Sequence, residues 1–355
     1  MLKPRKKTRE VKVRDIGIGG NNPVRVQSMT STSTVDIDAT LRQIEELSNA
    51  DCELIRIAIP DRRSLEAFRE IRKQTDVPLI ADIHFNYRLA IGALEAGADK
   101  IRINPGNIGD KKKVLEIIES LKQNKKAVRI GVNSGSLEID LIDKYHGVTS
   151  QGLVESAIRW VNYFTENGFE DIVVSIKSSS VIQTIEANLE LSSKIQFPIH
   201  IGVTEAGPLL PGTVKSAIAL GTLLLEGVGD TIRVSLTEDP VKEVEVAWEI
   251  LKSLGIRANG PLIISCPTCA RTRIDLVSLV KKVEEKLKSI KYPIKVAIMG
   301  CEVNGPGEAR EADIGIAAEP GKGVIFKKGK IIKRVKEEEI LEVLMEEINN
   351  MVEGG

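Results

Sequence analysis

The residue types with the strongest chemistry gather late in the chain. Cys266-Pro267-Thr268-Cys269 is a C-x-x-C pair, and a third cysteine, Cys301, opens the run Cys301-Glu302-Val303-Asn304-Gly305-Pro306-Gly307-Glu308. A C-x-x-C turn sets two thiolates close enough to share a metal, and a third from a distant loop can close around it. Two metal readings follow. One is a structural zinc with Glu308 or a histidine as fourth ligand. The other is an iron-sulfur cluster with three thiolates and a weaker fourth ligand, favoured because Cys301 stands alone in a glycine-lined loop that can approach sulfides closely. The fourth cysteine, Cys52, lies in the apolar run Cys52-Glu53-Leu54-Ile55-Arg56-Ile57 and reads as a small buried residue. Four cysteines in 355 residues, with no signal-peptide pattern, lead to the expectation of a reducing, cytoplasmic setting without disulfides.

A second set of reactive types is spread along the chain, at the ends of short β-branched runs. In order these are Gln27 and Met29, Arg56, Asp82, Arg102 and Asn104, Arg129 and Asn133, Lys177, His200 and Glu205, and Arg233 and Ser235. Taken singly, each arginine is a surface ion pair. Converging from five strands, Arg56, Arg102, Arg129, Lys177 and Arg233 would repel one another in a low-dielectric mouth unless an anion of comparable charge sat among them. Guanidinium groups match phosphate oxygens bidentately, so the implied ligand is a small phosphate or diphosphate ester. Against this basic set, Glu205 is the natural proton donor or acceptor, and Asp82 is placed to hold a substrate hydroxyl or orient an arginine. His84 and His200 read as hydrogen-bonded strand histidines, and Trp160 and Trp248 as packing.

Such convergence needs elements that bring the strand ends together. Eight β-like runs, over 24–29, 53–58, 79–83, 100–104, 128–133, 171–177, 198–204 and 231–235, are each followed by a helical pattern. The helices fall over 36–50, 64–74, 87–96, 111–123, 152–167, 181–193, 213–226 and 241–254, several ending on a glycine, Gly97, Gly168 or Gly255. Eight such units predict a (β/α)8 TIM barrel, whose strand C-terminal ends are where chemistry is built. Runs 10–14 and 16–20 predict a hairpin plugging the barrel bottom. Beyond Gly260 the pattern becomes a small α/β domain: strands over 262–265, 294–299 and 312–317, a helix over 274–289, a hairpin turning at 327–330 and a closing helix over 337–351. The expected division is a barrel over 1–258 and a cysteine-bearing domain over 259–355.

Composition excludes several partners. Fifty basic and fifty acidic residues cancel, so overall charge calls for neither nucleic acid nor a membrane surface. The longest apolar stretch, 217–225, is too short to span a bilayer and is broken by Gly221. Many Lys and Glu with few aromatics is a composition found in thermophiles.

Four motifs carry a family resemblance. Pro23-Val24-Arg25-Val26-Gln27-Ser28-Met29-Thr30, Ile101-Arg102-Ile103-Asn104-Pro105-Gly106-Asn107-Ile108-Gly109, Val203-Thr204-Glu205-Ala206-Gly207 and the cysteine loop with Asn304-Gly305-Pro306-Gly307-Glu308 resemble the 4-hydroxy-3-methylbut-2-enyl diphosphate synthases in their compact bacterial form. The resemblance implies reductive ring opening and dehydration of 2-C-methyl-D-erythritol 2,4-cyclodiphosphate, with electrons from flavodoxin or ferredoxin. It implies a 4Fe-4S cluster on Cys266, Cys269 and Cys301, with Glu308 as a harder, more weakly held fourth ligand. Phosphate binding would fall to Arg56, Arg102, Arg129, Lys177, Arg233 and Ser235, with Asp82 and Asn133 on the erythritol part and Glu205 as acid-base residue. Arg271 and Asn304 would reach the ligand from the cluster domain.

The resemblance also implies a homodimer, each cluster domain closing the partner's barrel. Chain geometry agrees, because the eighth helix leaves the chain at the barrel bottom and the eleven residues from Gly255 to Cys266 span at most about 35 to 40 Å. The competing function is a non-redox phosphosugar aldolase or isomerase, with Lys177 as Schiff base and a zinc-stapled accessory domain.

Overall fold

Period-two alternation in the strands decides what faces the helices and what faces the barrel interior. In a computed structural model that describes residues 2–302, 307 and 311–353, the chain forms two compact units, Met1–Arg257 and Ala258–Gly355. In the first, a hairpin of β1 (Val11–Val13) and β2 (Ile16–Ile18) precedes eight parallel strands: β3 (Arg25–Met29), β4 (Leu54–Ala58), β5 (Leu79–Ile83), β6 (Lys100–Ile103), β7 (Ala127–Asn133), β8 (Ile172–Lys177), β9 (His200–Ile201) and β10 (Thr231–Ile232). They pair in the order β8-β7-β6-β5-β4-β3-β10-β9, and a parallel bridge from Val174 to Ile199 closes the ring.

The inward and outward strand positions pack against different partners. Leu54, Ile80, Ala127 and Val173 pack with Val11, Val13 and Ile18 into one apolar cluster, so the hairpin plugs the strands' N-terminal end. The alternate set, among them Val26, Ile57, Ala81, Ile103, Ile130 and Val174, joins the large core beneath the helices. Higher up, the inward set turns polar.

The helices are α1 (Ile37–Asn49), α2 (Arg62–Gln74), α3 (Tyr87–Glu95), α4 (Pro105–Ile108), α5 (Lys111–Asn124), α6 (Ile139–Tyr145), α7 (Ser150–Glu166), α8 (Val181–Lys194), α9 (Leu209–Leu225) and α10 (Pro240–Ser253). Their starts are written in the sequence: Asp36, Asp61, Asn86, Asp110, Thr149, Ser180 and Asp239 each accept a backbone N–H in the first turn. Gly97, Gly168 and Gly255 follow helix ends with φ of 93°, 71° and 65°, a conformation that side chains with a Cβ resist. Helices α4 and α6 were not expected, since four and seven residues are too few to show a helical period.

Strands β9 and β10 are also shorter than expected, two residues each. Past Ile201 the ladder gives way to single contacts, Arg233 N–H to the Ile201 carbonyl at 3.1 Å and Thr204 N–H to that of Ser178 at 3.2 Å.

The second unit is a five-stranded sheet ordered β11-β12-β13-β14-β15. Its elements are β11 (Leu262–Ser265), α11 (Leu276–Leu287), β12 (Lys295–Met299), β13 (Ile314–Glu319), β14 (Lys322–Lys327), β15 (Lys330–Lys336) and α12 (Ile340–Glu353). Val283 and Leu287 from α11, and Leu344 and Ile348 from α12, pack on Val296, Ile298, Ile314 and Ile316 of the sheet. The first three strands are parallel, so β11 and β12 end at the same edge. No helix among the described residues is long and apolar enough to cross a membrane.

Candidate active site

Each barrel strand delivers its polar side chain by the alternation that put its neighbours under the helices. Ile55 and Ile57 face out, so Arg56 faces in; the same holds for Asp82 between Ala81 and Ile83, Arg102 between Ile101 and Ile103, and Arg129 between Val128 and Ile130. Ladder register sets three of these side by side, Asp82 opposite Arg102 and Arg102 opposite Arg129. Lys177 ends β8 opposite Asn133, and Arg233 follows β10.

Asp82 is the electrostatic pivot of this group. Its carboxylate accepts from Arg102 Nη1 at 3.3 Å and lies 3.2 Å from His84 Nε2 and 4.0 Å from Arg56 Nε. Burial alone would raise its pKa, but Arg56, His84 and Arg102 reverse that and hold the carboxyl well below the usual range. Arg102 is further placed by Asn133, whose amide oxygen, in the orientation that suits its neighbours, accepts from Nη2 at 3.1 Å. Arg56 rests Nε and Nη2 on Met29 Sδ at 3.1 and 2.9 Å. Burial pulls its pKa down to about 10, which leaves it protonated at neutral pH.

Arg129 has the opposite situation. It is 1% exposed, and Nε and Nη1 find no hydrogen-bond partner among the described residues. Burial first, then Arg56 and Arg102, oppose its charge. Lys177 is likewise buried and faces Arg129, Arg233, Arg56 and Arg102, which push its ammonium in the same direction after burial itself. A buried guanidinium with free donors, among other cations, is what an anion site requires.

Two glycines make room for these heads. A Cβ on Gly131 would meet Arg102 Nε at 2.7 Å, and one on Gly202 would meet the Arg233 carbonyl at 2.5 Å and Lys177 Nζ at 2.7 Å. Backbone space is thus spent on positioning charge.

His200 is fully buried; its Nδ1 lies 2.7 Å from Thr231 Oγ1 and its Nε2 has no partner among the described residues. Burial and then Arg129 and Lys177 favour its neutral form. Glu205 is exposed just past β9, in left-handed backbone at φ 54°. Ser235 is half-buried after β10.

Sequence reasoning missed Glu243 and Lys100. Glu243 on α10 is buried; it accepts from Ser28 Oγ at 2.7 Å, from Arg233 Nε at 3.2 Å and Nη2 at 3.1 Å, and from Leu236 N–H at 3.0 Å. A charged residue on a helical pattern reads as a solvated face, so nothing local marks it. Lys100 could have been found, since it stands two residues before Arg102 and therefore on the same strand face. The other missed feature is the role of His84, whose Nε2 lies 3.1 Å from Arg102 Nη1.

In the second unit, Cys266 follows β11 and Cys301 follows β12, both at the shared parallel edge. Cys266 Sγ accepts the Gly300 N–H at 3.2 Å. Cys269 is exposed; the Arg271 backbone N–H lowers its thiol pKa, and with the Arg271 charge and Thr272 it outweighs the opposing effect of burial. Cys301 is 5% exposed. Thiolate-favouring surroundings and an N–H···S bond are what metal-binding sulfur needs. Among the described residues no three of His, Cys, Asp and Glu stand grouped as a metal site. Arg271 is exposed, and Asn304 and Glu308 lie outside the described residues.

Comparison with known proteins adds independent findings. The GcpE TIM-barrel domain matches residues 8–248, and the GcpE protein C-terminal domain matches residues 262–350. A 4-hydroxy-3-methylbut-2-en-1-yl diphosphate synthase (flavodoxin) of Caldanaerobacter subterraneus subsp. tengcongensis is 55% identical, covering 99% of each chain. The protein of the same name from Lawsonia intracellularis is 54% identical over 98% of this chain and 97% of its own. Among solved structures, Yersinia pestis dihydropteroate synthase with a sulfonamide drug aligns over 70% of this chain and 100% of its own, with a TM-score of 0.51 and 14% identity. That likeness shows the barrel fold alone.

Proposed function

The chain belongs to the GcpE family, and from that membership and the barrel's geometry we propose how its residues divide the work. The protein is an iron-sulfur oxidoreductase that converts 2-C-methyl-D-erythritol 2,4-cyclodiphosphate to (E)-4-hydroxy-3-methylbut-2-enyl diphosphate in isoprenoid biosynthesis. Two electrons and two protons enter, one carbon–oxygen bond to the ring phosphate opens, and one hydroxyl leaves as water.

The observation that carries the site is Arg129, a buried guanidinium with unpartnered donors beside Arg56, Arg102, Lys177 and Arg233. In the proposal these five, with Ser235, hold the diphosphate, and Arg102 is aimed by Asp82 and Asn133. His200 lines the floor as a neutral imidazole. Asp82 and Asn133 also meet the erythritol hydroxyls. Glu205, exposed beyond β9, hands a carboxyl proton to the hydroxyl oxygen that departs.

Cys266, Cys269 and Cys301, with Glu308, would hold a 4Fe-4S cluster. Cys266 and Cys301 leave one sheet edge, and the Gly300 N–H already points at a sulfur, which fits that donor set. When bound, the group supplies electrons singly to the substrate. Arg271 and Asn304 complete the proposed contacts. Flavodoxin in the relatives' names supports that carrier as donor, ferredoxin being the alternative. A cytoplasmic location fits a reducible cofactor.

We also propose a homodimer in which each cluster-bearing unit closes the partner's barrel. Arg257 donates to the Val24 carbonyl at 2.7 Å and to Glu53, both at the strands' N-terminal ends, so the chain leaves the barrel opposite the cations. Mixing Glu205→Gln with Cys301→Ala chains tests this: co-refolded and reconstituted mixtures should regain activity that neither parent has, and mixtures no better than the parents would favour closure within one chain.

Anaerobic turnover of the cyclodiphosphate with a chemical reductant tests the whole reading. A brown protein with broad visible absorption and turnover is expected. A colourless preparation with stoichiometric zinc would leave the aldolase reading, with Lys177 as Schiff base, in its place.

A further inference from the structure

Beneath the cations that face the site lies a lysine that phosphate binding does not by itself explain. Lys100 begins β6 one inward position below Arg102; it is 0% exposed, and its Nζ has no hydrogen-bond partner among the described residues. The groups facing it are Arg129 from β7, Arg56 from β4 and His200 from β9. None is an acid. The plug turns the apolar side chains Val11, Val13 and Ile18 into the barrel, against Ile80 and Ala127, the residues paired with Lys100 in the ladder, and Thr231 on β10 is occupied with His200.

The nearest acids along the chain are committed elsewhere. Asp82 on β5 binds Arg102 and His84. Asp99, adjacent to Lys100, pairs with Arg72 and Lys126 and accepts the Leu79 N–H. A buried ammonium surrounded by guanidinium groups has two remedies: an anion arrives, or a proton leaves. Guanidinium keeps its proton at any pH a protein meets, whereas an amine yields it readily. Burial first, then Arg129 and Arg56, push the Lys100 ammonium well below its ordinary range.

We propose that the barrel takes up a proton together with its dianionic substrate, and that Lys100 receives it, being a neutral amine in the free protein and an ammonium in the complex. The inference rests on the barrel being the diphosphate site. Its linkage sign is fixed: the bound anion raises the lysine's pKa, so between the free and bound values binding draws in a proton, and affinity falls as pH rises through the bound value.

Calorimetry on the oxidised holoenzyme decides the matter, using the cyclodiphosphate at pH 8 without reductant, in two buffers of different ionisation enthalpy. Each phosphorus of this ligand carries one strongly acidic oxygen, so the ligand has no proton to exchange. Uptake of about one proton per site is expected, with a smaller uptake by Lys100→Met. Binding with no buffer dependence overturns the proposal, as does an unchanged uptake by Lys100→Met, which would assign the proton elsewhere. The absence of both binding heat and a raised melting temperature of the wild type with the cyclodiphosphate would overturn the diphosphate reading itself. Should Lys100→Met fold poorly, Lys100→Gln makes the same comparison, and an uptake equal to the wild type's would assign the proton to Lys177 or His200, whose charged forms burial and the arginines oppose in the same way.

Discussion

Arg233 and Glu243 form a two-point pair across the wall of the barrel, Nε and Nη2 each reaching one carboxylate oxygen at 3.2 and 3.1 Å. The same carboxylate takes the Ser28 hydroxyl and the Leu236 N–H, so one side chain of α10 fixes β3, an arginine of the site and the turn carrying Ser235. Glu243→Gln keeps the shape and removes the charge. It should cost about 1 to 3 kcal/mol of stability, as expected when a buried charged group loses a matched partner, and raise KM for the cyclodiphosphate more than it lowers kcat. Denaturant midpoints and steady-state kinetics check both; an unchanged KM would make the pair purely structural.

Arg102 and Arg129 sit opposite each other in the ladder yet should answer to substitution with opposite signs in stability. Arg102→Met strips Asp82 and Asn133 of a partner and should destabilise the free protein. Arg129→Met removes a buried charge that lacks partners for Nε and Nη1, and should leave the free protein as stable or more so. Both should weaken substrate binding by about 2 to 5 kcal/mol. Thermal melts with and without the cyclodiphosphate separate the two effects.

Gly131→Ala and Gly202→Ala test how the cation heads are accommodated. At Gly131 the obstacle is the Arg102 side chain, which can shift; at Gly202 it includes the Arg233 carbonyl, which cannot shift cheaply. Gly131→Ala should fold normally with weakened substrate affinity, and Gly202→Ala should lose about 1 to 3 kcal/mol of stability, the usual cost of overpacking. Equal melting temperatures for both variants would contradict this assignment.

Asp82 makes a pH prediction with a definite sign. Its folded pKa is held below the unfolded value of about 3.9, so its contribution is fully present above that pH and is lost as pH falls toward the folded value. Asp82→Asn should therefore be less stable than the wild type at pH 7 and lose less stability between pH 7 and pH 3. Urea titrations at the two pH values provide the comparison.

Glu308→Cys should retain iron and lose most turnover, because a fourth thiolate binds more tightly than the carboxylate it replaces. Iron content and steady-state rate are the two readouts, and a normal rate at full iron would remove the carboxylate's special role.

How far the chain could be read in advance differs by element. Strands β5 and β7, the helix starts at Asp36 and Ser180, and the inward direction of Arg56, Arg102 and Arg129 were legible, because each depends on neighbours within a few residues. Alternation with period two is a property of local backbone geometry, and an Asp or Ser cap needs only its own first turn. The same locality makes Cys266 and Cys269 recognisable as a pair.

Partnerships were another matter. That Asp82 serves Arg102, Arg56 and His84 together, that Arg129 is left with free donors, and that Glu243 reaches Ser28, a residue 215 positions away, follow only once eight strands close on one another. Lys100 and Arg102 share a strand face in the sequence, but only the closed barrel denies the first a carboxylate and grants the second one. The residue types and their facing are set along the chain; which charge meets which is set by the ring, because electrostatic partnership depends on distance through space and on exclusion of water, neither of which exists until the barrel has formed.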